Sequence, residues 1–233
     1  MLLCLVAAPP PAAGQQIETG RSLFKTIVSD LKLVVSTESL PVLSSAAALS
    51  LFALPFDETL TYSASCSTFQ KTAFEGWARI AGQEWLLASG ALATYVVGRT
   101  TGQLKVAAVG GDLIESQVVA GITTLALKYA IPRTRPDGEP RSFPSGHAAG
   151  TFAAATVIQR HFGVKGAVPA YTLATLISTA RLQANSHYPT DVIIGAAFGI
   201  LSGRAATFAL AGHRVSLSPA ATEGGILVAA SIH

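Results

Sequence analysis

Residues 128–147 read Lys128-Tyr-Ala-Ile-Pro-Arg-Thr-Arg135-Pro136-Asp-Gly-Glu-Pro-Arg-Ser-Phe143-Pro144-Ser145-Gly146-His147, and this stretch divides the chain. Before it, Leu104 to Ile131 is an apolar helix that must stop at Pro132, which has no N–H to donate and clashes with the preceding turn. Arg133 to Ser145 is then a loop rich in proline, glycine and charge. After it, apolar positions return at helical spacing from about His147 to His161, ending near Gly163. A further helix covers roughly Ala167 to Leu182, a short loop Gln183 to Pro189, and a last helix Thr190 to about Ala211.

Upstream, Arg21 to Ser36 places Leu23, Phe24, Ile27, Leu31 and Val34 on one helical face, with Lys25, Asp30 and Lys32 between them. Leu40 to Phe56 is apolar and rich in alanine and serine. Asp57 to Thr72 is polar without a period and reads as a loop, and Trp77 to Val97 as one long apolar helix. From Val215 to His233 serine, proline and a Gly-Gly pair punctuate two short apolar runs, a small hairpin or irregular strap. The expected fold is therefore all-α, a bundle of about six main helices with a short C-terminal tail. The expected organisation is an N-terminal segment 1–16, one helical domain over 17–212 carrying the motifs of 128–191, and a tail 213–233.

Half of the chain is apolar and 12% is charged, against roughly 25% in an average soluble domain. The net charge of +3 is scattered, with no basic block or alternation of aromatic and basic residues, so nucleic acid is excluded as a partner. Cys4 and Cys66 are the two cysteines, too few for a disulfide framework, and no Cys/His spacing of a metal site occurs. Met1 to Gln16 runs from Leu2, Leu3, Leu5 and Val6 through Pro9-Pro10-Pro11 to Ala12-Ala13-Gly14. That order fits either the end of an export signal lacking its basic start or a Pro/Ala-rich terminus.

A membrane-crossing helix needs about 20 mostly apolar residues. Asp112 and Glu115 interrupt the Leu104–Ile131 helix, Arg204 sits within the last one, and none of the segments reads as a clean span. An exported, periplasmic and soluble bundle is the expectation. Membrane association is the close alternative, because embedded enzymes keep charges at functional sites.

Three segments gather cations and histidines near helix ends. Lys128 lies one turn before a helix end and Arg135 just beyond it, so both can converge on an anion, the guanidinium fork suiting phosphate oxygens. Taken alone, the same pair is an ordinary cationic helix end. Phe143-Pro144-Ser145-Gly146-His147 precedes a helix whose first N–H groups have no helical partners. Gly146 admits close approach, Ser145 adds a hydroxyl and His147 a group titrating near neutrality; Ser145 as a plain N-cap fits equally well. In Arg181-Leu-Gln-Ala-Asn-Ser-His187-Tyr-Pro-Thr-Asp191, a carboxylate four residues after a loop histidine can take its Nδ1 proton and leave Nε2 free as a nucleophile. Asp191 as a helix cap beside a surface histidine competes with that reading.

The ordered set Lys-x6-Arg-Pro, Pro-Ser-Gly-His and Arg-x5-His-x3-Asp resembles the signature of the phosphatidic-acid phosphatase type 2 superfamily, which also holds bacterial acid phosphatases and vanadium haloperoxidases. The resemblance spans Lys128 to Asp191, about a quarter of the chain. It implies a metal-independent phosphatase without a cofactor, acting on a phosphorylated lipid or a small phosphomonoester. His187 would be the nucleophile that forms a phosphohistidine, Asp191 its orienting group and His147 the acid for the leaving alcohol. Lys128, Arg135, Ser145, Gly146 and Arg181 would bind the phosphoryl oxygens, and vanadate would inhibit. One position departs from the family pattern: Ala180 stands where a serine usually precedes the arginine, which leaves the orientation of Arg181 less defined. Two alternatives stay open, a haloperoxidase with vanadate as cofactor and a non-catalytic phosphate- or lipid-binding protein. Tyr188 and Phe143 border the site, while His161, His213 and His233 are expected to be incidental.

Overall fold

A computed structural model describes residues 20–66, 74–207, 209–210, 213–222 and 225–232, with side chains over 27–66 and 76–207. The segment 1–16, with Cys4, lies outside the described residues, as do His233 and the side chain of His213. Among the described residues eight helices follow one another: α1 (Gly20–Val34), α2 (Leu40–Ala53), α3 (Asp57–Cys66), α4 (Phe74–Ala81), α5 (Glu84–Thr100), α6 (Leu104–Ala130), α7 (Gly146–Gln183) and α8 (Pro189–Ala206). Short 3-10 turns at Thr37–Ser39 and Leu54–Phe56 lead into α2 and α3. The tail is a hairpin: β2 (His213–Thr222) pairs antiparallel with β3 (Gly225–Ile232), from Val215 opposite Ile232 to Thr222 opposite Gly225. The short β1 (Ala209–Leu210) pairs with the start of β2. The all-α bundle expected from periodicity is thus the fold.

Two expectations are corrected. Asp57 to Thr72 does not begin as a loop, since α3 occupies Asp57–Cys66. Asp57 and Glu58 in its first turn suit the positive end of the helix dipole. Only Asp57 and Thr61, four residues apart, are buried, so no apolar period betrays it. Trp77 to Val97 is not one helix either: it breaks at Gly82 and Gln83 into α4 and α5. A Cβ at Gly82 would stand 2.6 Å from the ring of His147, so the break lets a site residue press against the backbone.

The expected separation near Gly163 takes a specific form. Gly163 has φ +65, a left-handed conformation suited to glycine, and the second limb of α7 folds back on the first. The Tyr171 hydroxyl lies 2.8 Å from that of Thr156 and donates to Gln159 Oε1 at 2.9 Å, whereas a straight helix would separate residues 156 and 171 by about 22 Å. The hairpin returns Arg181 to the end of the bundle from which α7 started.

Small residues set the spacing inside. Gly195, Gly199 and Gly203 recur every four residues on α8, and a Cβ at each would lie 2.5 Å from Ser145 O, 2.3 Å from Ala149 O and 2.7 Å from Ala153 O. The backbones of α7 and α8 therefore touch along a small-residue seam. Where α1, α6 and α8 meet, Val34, Val119, Leu201 and Ala205 form a buried cluster.

The charges that interrupt the apolar run of α6 point inward and are paired. Asp112 Oδ2 lies 2.6 Å from His161 Nε2, so His161 is a structural link between α6 and α7 and not incidental. Glu115 shares a hydrogen bond with Asp30 of α1, whose carboxyl is pushed above its ordinary range by burial. The reading that no segment is a clean span is corrected accordingly. Two helical stretches, Thr37–Cys66 and Leu104–Ala130, are long and apolar enough to cross a membrane. The first is mostly uncovered, with Leu51 71% and Phe52 76% exposed, and Trp85, Leu92, Ile122, Leu125 and Val168 extend the exposed apolar surface over α5, α6 and α7.

The seam predicts that Gly199→Ala, whose new Cβ meets the Ala149 carbonyl, destabilises the protein by about 1–3 kcal/mol. Gly121→Ala on α6, where a Cβ meets nothing within 4 Å, serves as the neutral control. Thermal unfolding of both variants beside the wild type is the measurement, and equal loss in the two would contradict the packing.

Candidate active site

Four chain segments converge at one end of the bundle: the last turn of α6, the 131–145 loop, the first turn of α7, and the 184–191 turn into α8. Ser145 is the N-cap of α7, accepting from Ala148 N at 3.4 Å. Its own N–H donates to the Asp191 carbonyl at 3.0 Å, which joins the second motif to the third. The loop is tied to the same turn by Asp137 N, donating to Asn185 O at 3.0 Å.

Every residue predicted for the site lies here. His187 and Asp191 are 3% and 0% exposed. His187 lies within electrostatic reach of Lys128, Arg135 and Asp191, and His147 within that of Arg181, Arg135 and His187. Lys128 Nζ donates to Arg141 O at 2.9 Å, and Arg181 is 8% exposed at the end of the returning limb of α7. Gly146 begins α7, close to the carboxylate of Glu84 at the start of α5. Ser145 is fully buried and caps α7, as the plain N-cap reading of that residue has it.

The Asp191–His187 contact differs from the expected hydrogen bond. His187 Nδ1 is 3.8 Å from Asp191 Oδ2, within ion-pair range but longer than a hydrogen bond. Such contacts tighten when substrate charge arrives. Meanwhile Asp191 Oδ2 accepts from Ser142 Oγ and from Tyr188 N at 3.0 Å. Its Oδ1 accepts from Arg133 Nη1 at 2.8 Å.

Arg133 and Asp57 are the residues that motif reading missed. The Arg133 guanidinium also reaches Thr190 Oγ1 at 2.7 Å and Asp57 Oδ2 at 2.7 Å, and it stacks 4.1 Å over the Tyr188 ring. Asp57 in turn accepts from Thr190 N at 3.1 Å and Thr190 Oγ1 at 2.6 Å. The first turn of α3 is thereby clamped to the first turn of α8, 133 residues along the chain. Burial opposes the charge on Arg133, but Asp57 and Asp191 outweigh it and raise its pKa. Nothing in the local sequence flags Asp57, because its partners are remote; the Arg-x-Arg spacing of Arg133 with Arg135 was the available hint.

Burial lowers the pKa of His187 below its ordinary value, helped by the Lys128 and Arg135 cations and resisted by Asp191. Burial also brings His147 to about 4, reinforced by Arg181, His187 and Arg135, while its contact with the Arg79 carbonyl at 3.3 Å works the other way. Among the described residues no group of three or more His, Cys, Asp or Glu side chains is placed to hold a metal ion. The ligand set that does converge is cationic, suited to an anion with several oxygens.

A family model for the PAP2 superfamily matches residues 137–212, which hold the second and third motifs in the geometry just described. Over those residues the chain is similar to the PAP2 superfamily. A lipid A 1-phosphatase from Porphyromonas gingivalis is 40% identical over 100 residues, covering 41% of this chain and 21% of that protein. A lipid A 4'-phosphatase from Helicobacter pylori is 44% identical over 55 residues, 24% of this chain and 28% of that one. The chain spans less than half the length of the curated relatives it matches. The crystal structure of Aquifex aeolicus LpxE is similar at 26% identity, with a TM-score of 0.48 over 57% of this chain and 82% of that one.

The clamp predicts that Asp57→Asn, which leaves Arg133 one charge short, lowers stability by about 1–3 kcal/mol. Glu58→Gln, on the exposed neighbour, leaves it unchanged. Thermal melts of the purified proteins distinguish the two.

Proposed function

We propose that this chain is a PAP2-type, metal-independent phosphatase that hydrolyses phosphomonoesters of lipids through a phosphohistidine at His187, with 17–212 as its catalytic domain. The observation that carries the reading is the convergence of a buried, neutral histidine with Lys128, Arg135 and Arg181 beside a second histidine. Binding alone calls for the cations but for neither histidine, and the relatives named for lipid A phosphatase activity support the lipid class.

In this mechanism the Nε2 lone pair of His187 attacks phosphorus in line. The P–O bond to the leaving alcohol breaks and its electron pair departs on that oxygen, which takes a proton from His147. Water then attacks the phosphohistidine, gives its proton to His147, and the P–N bond breaks to restore His187. Lys128, Arg135, Arg181 and the N–H groups at the start of α7 hold the equatorial oxygens, where charge accumulates in the transition state. Ser145 fixes that helix start, and Asp191, held by Arg133, Ser142 and the Tyr188 N–H, stabilises the imidazolium. The same cations that depress His147 are offset by a bound phosphoryl dianion, so substrate itself promotes protonation of the acid.

The test is phosphate release from phosphatidic acid and p-nitrophenyl phosphate by wild type and His187→Ala, with EDTA present. Release by the wild type alone is expected, at least about 10³-fold above the variant, with inhibition by vanadate; loss on chelation and recovery with magnesium would refute the metal-free mechanism. The pH profile follows from the two histidines. Because the His187 pKa is lowered, loss of the nucleophile on acidification begins below about pH 6.5. On the alkaline side the rate falls as His147 loses its proton, and His147→Asn removes that limb.

We also infer that the protein sits in a membrane, displacing the soluble expectation. Phe52 and Leu51 on Thr37–Cys66 face outward while Asp112 and Glu115 are turned inward, the polarity of a bundle whose solvent is hydrocarbon. Full-length protein should stay with membranes after high-salt and carbonate washes; release by either wash would overturn this placement.

A further inference from the structure

At the end of the bundle remote from the catalytic residues, α7 turns at Gly163 and α8 finishes. Arg160 follows His147 by thirteen residues on α7, and Arg204 follows Asp191 by thirteen on α8, so both stand about 20 Å from that site. Two cavities flank them, of about 390 Å³ and about 310 Å³, and both arginines line both cavities. Neither guanidinium forms an ion pair among the described residues. Arg160 donates from Nε to Thr207 Oγ1 at 3.2 Å, which leaves its two terminal nitrogens. The other polar side chains of the larger cavity are engaged within the protein. Thr156 and the Gln159 amide oxygen bond Tyr171, His161 pairs with Asp112, and Thr207 donates to Gly203 O. What remains for a ligand is N–H donors, most of them on guanidinium groups, and no carboxylate lines that wall.

The cavity lies in a wider cationic field. Lys32, Arg99, Lys105 and Lys165 are exposed at the same end, where Glu38 is the one exposed acid among the described residues. Asp30 and Asp112 are buried and held by Glu115 and His161. Beside the arginines the surface turns apolar: Val164, in the cavity wall, is 77% exposed and Phe162 is 49% exposed. Lys105 Nζ sits 5.0 Å over the Phe162 ring, so cation and apolar surface alternate along this rim. Guanidinium forks match phosphate oxygens, and exposed apolar side chains on the same rim are stabilised by acyl chains and not by water. The depth agrees: from Lys105 to Lys128 α6 spans about 35 Å, slightly more than a hydrocarbon layer of about 30 Å. Long basic side chains near a helix end reach into the headgroup layer beyond it.

We propose that the cavity at Arg160 and Arg204 binds the phosphate of an anionic phospholipid in the leaflet opposite the catalytic end, with Val164 and Phe162 against its acyl chains. The lipid is a bound diester and not a substrate, since the reaction above acts on monoesters. The inference rests on the membrane placement above and is independent of turnover. Free phosphate shares the chemistry that two guanidinium forks recognise; the apolar rim beside them favours the lipid.

The experiment titrates full-length protein in a neutral maltoside detergent with dioleoylphosphatidylglycerol, dioleoylphosphatidylcholine or inorganic phosphate, and native mass spectrometry counts the bound ligand. Phosphatidylglycerol is expected to bind at least about tenfold more tightly than phosphatidylcholine. Arg160→Gln combined with Arg204→Gln should weaken it by at least about tenfold. The charge-matched pair Lys32→Gln with Arg99→Gln, outside the cavity, should stay within about threefold of wild type. Should melting curves show that the first double variant does not fold, its two single variants carry the test, each expected to lose at least about threefold. Equal weakening by both pairs would reduce the site to diffuse surface charge and overturn it, as would binding that survives loss of both arginines. Inorganic phosphate bound as tightly as the lipid would overturn the lipid as occupant. Release of the native protein from membranes by carbonate would show instead that the membrane placement itself fails.

Discussion

The carboxylate of Asp191 is the fixed point of this molecule. It is fully buried and accepts from Arg133, Ser142 and the Tyr188 N–H. A buried anion is tolerated only when its lone pairs are taken. Meeting that condition draws in α3 through Asp57, the 131–145 loop through Arg133 and Ser142, and the turn before α8 through Tyr188. The segments that carry the converging cations are positioned as a consequence of satisfying one acid. Removing a member of this network leaves the others buried with unanswered charge, so the site and the stability of this end of the bundle are the same interaction seen twice.

The second constraint is steric. Gly195, Gly199 and Gly203 let α8 lie directly on the backbone of α7, and the hairpin at Gly163 brings Arg181 back beside His147. Both devices bring remote residues close without bulky side chains between them. A core built this way buries little large apolar surface. Much of the leucine, phenylalanine and tryptophan is on the outside, where a hydrocarbon surrounding stabilises it and water would not. The inward turn of Asp112 and Glu115 to His161 and Asp30 completes that inversion.

Burial and the nearby cations act on both histidines. His187 is buried beside Lys128 and Arg135 and kept neutral. His147, nearer the surface, has its pKa lowered by burial as well, and it feels the Arg181 and Arg135 cations, which a phosphoryl group would neutralise. The same field thus favours a free lone pair on one ring and, with substrate bound, a proton on the other.

By itself the sequence determined the bundle and most of its breaks, and it marked the residues of the candidate site. Pro132, Gly163 and Pro189 end or turn helices through local backbone geometry, and Lys128, Arg135, His147, Arg181, His187 and Asp191 are legible because their chemistry is carried by type and spacing along short segments. Only the tertiary structure decided that Asp57 opens a helix and clamps Thr190, that Arg133 serves Asp191, and that His161 pairs with Asp112. Each of these depends on a partner between 49 and 133 residues away, and a hydrogen bond over that distance leaves no period or motif in either segment.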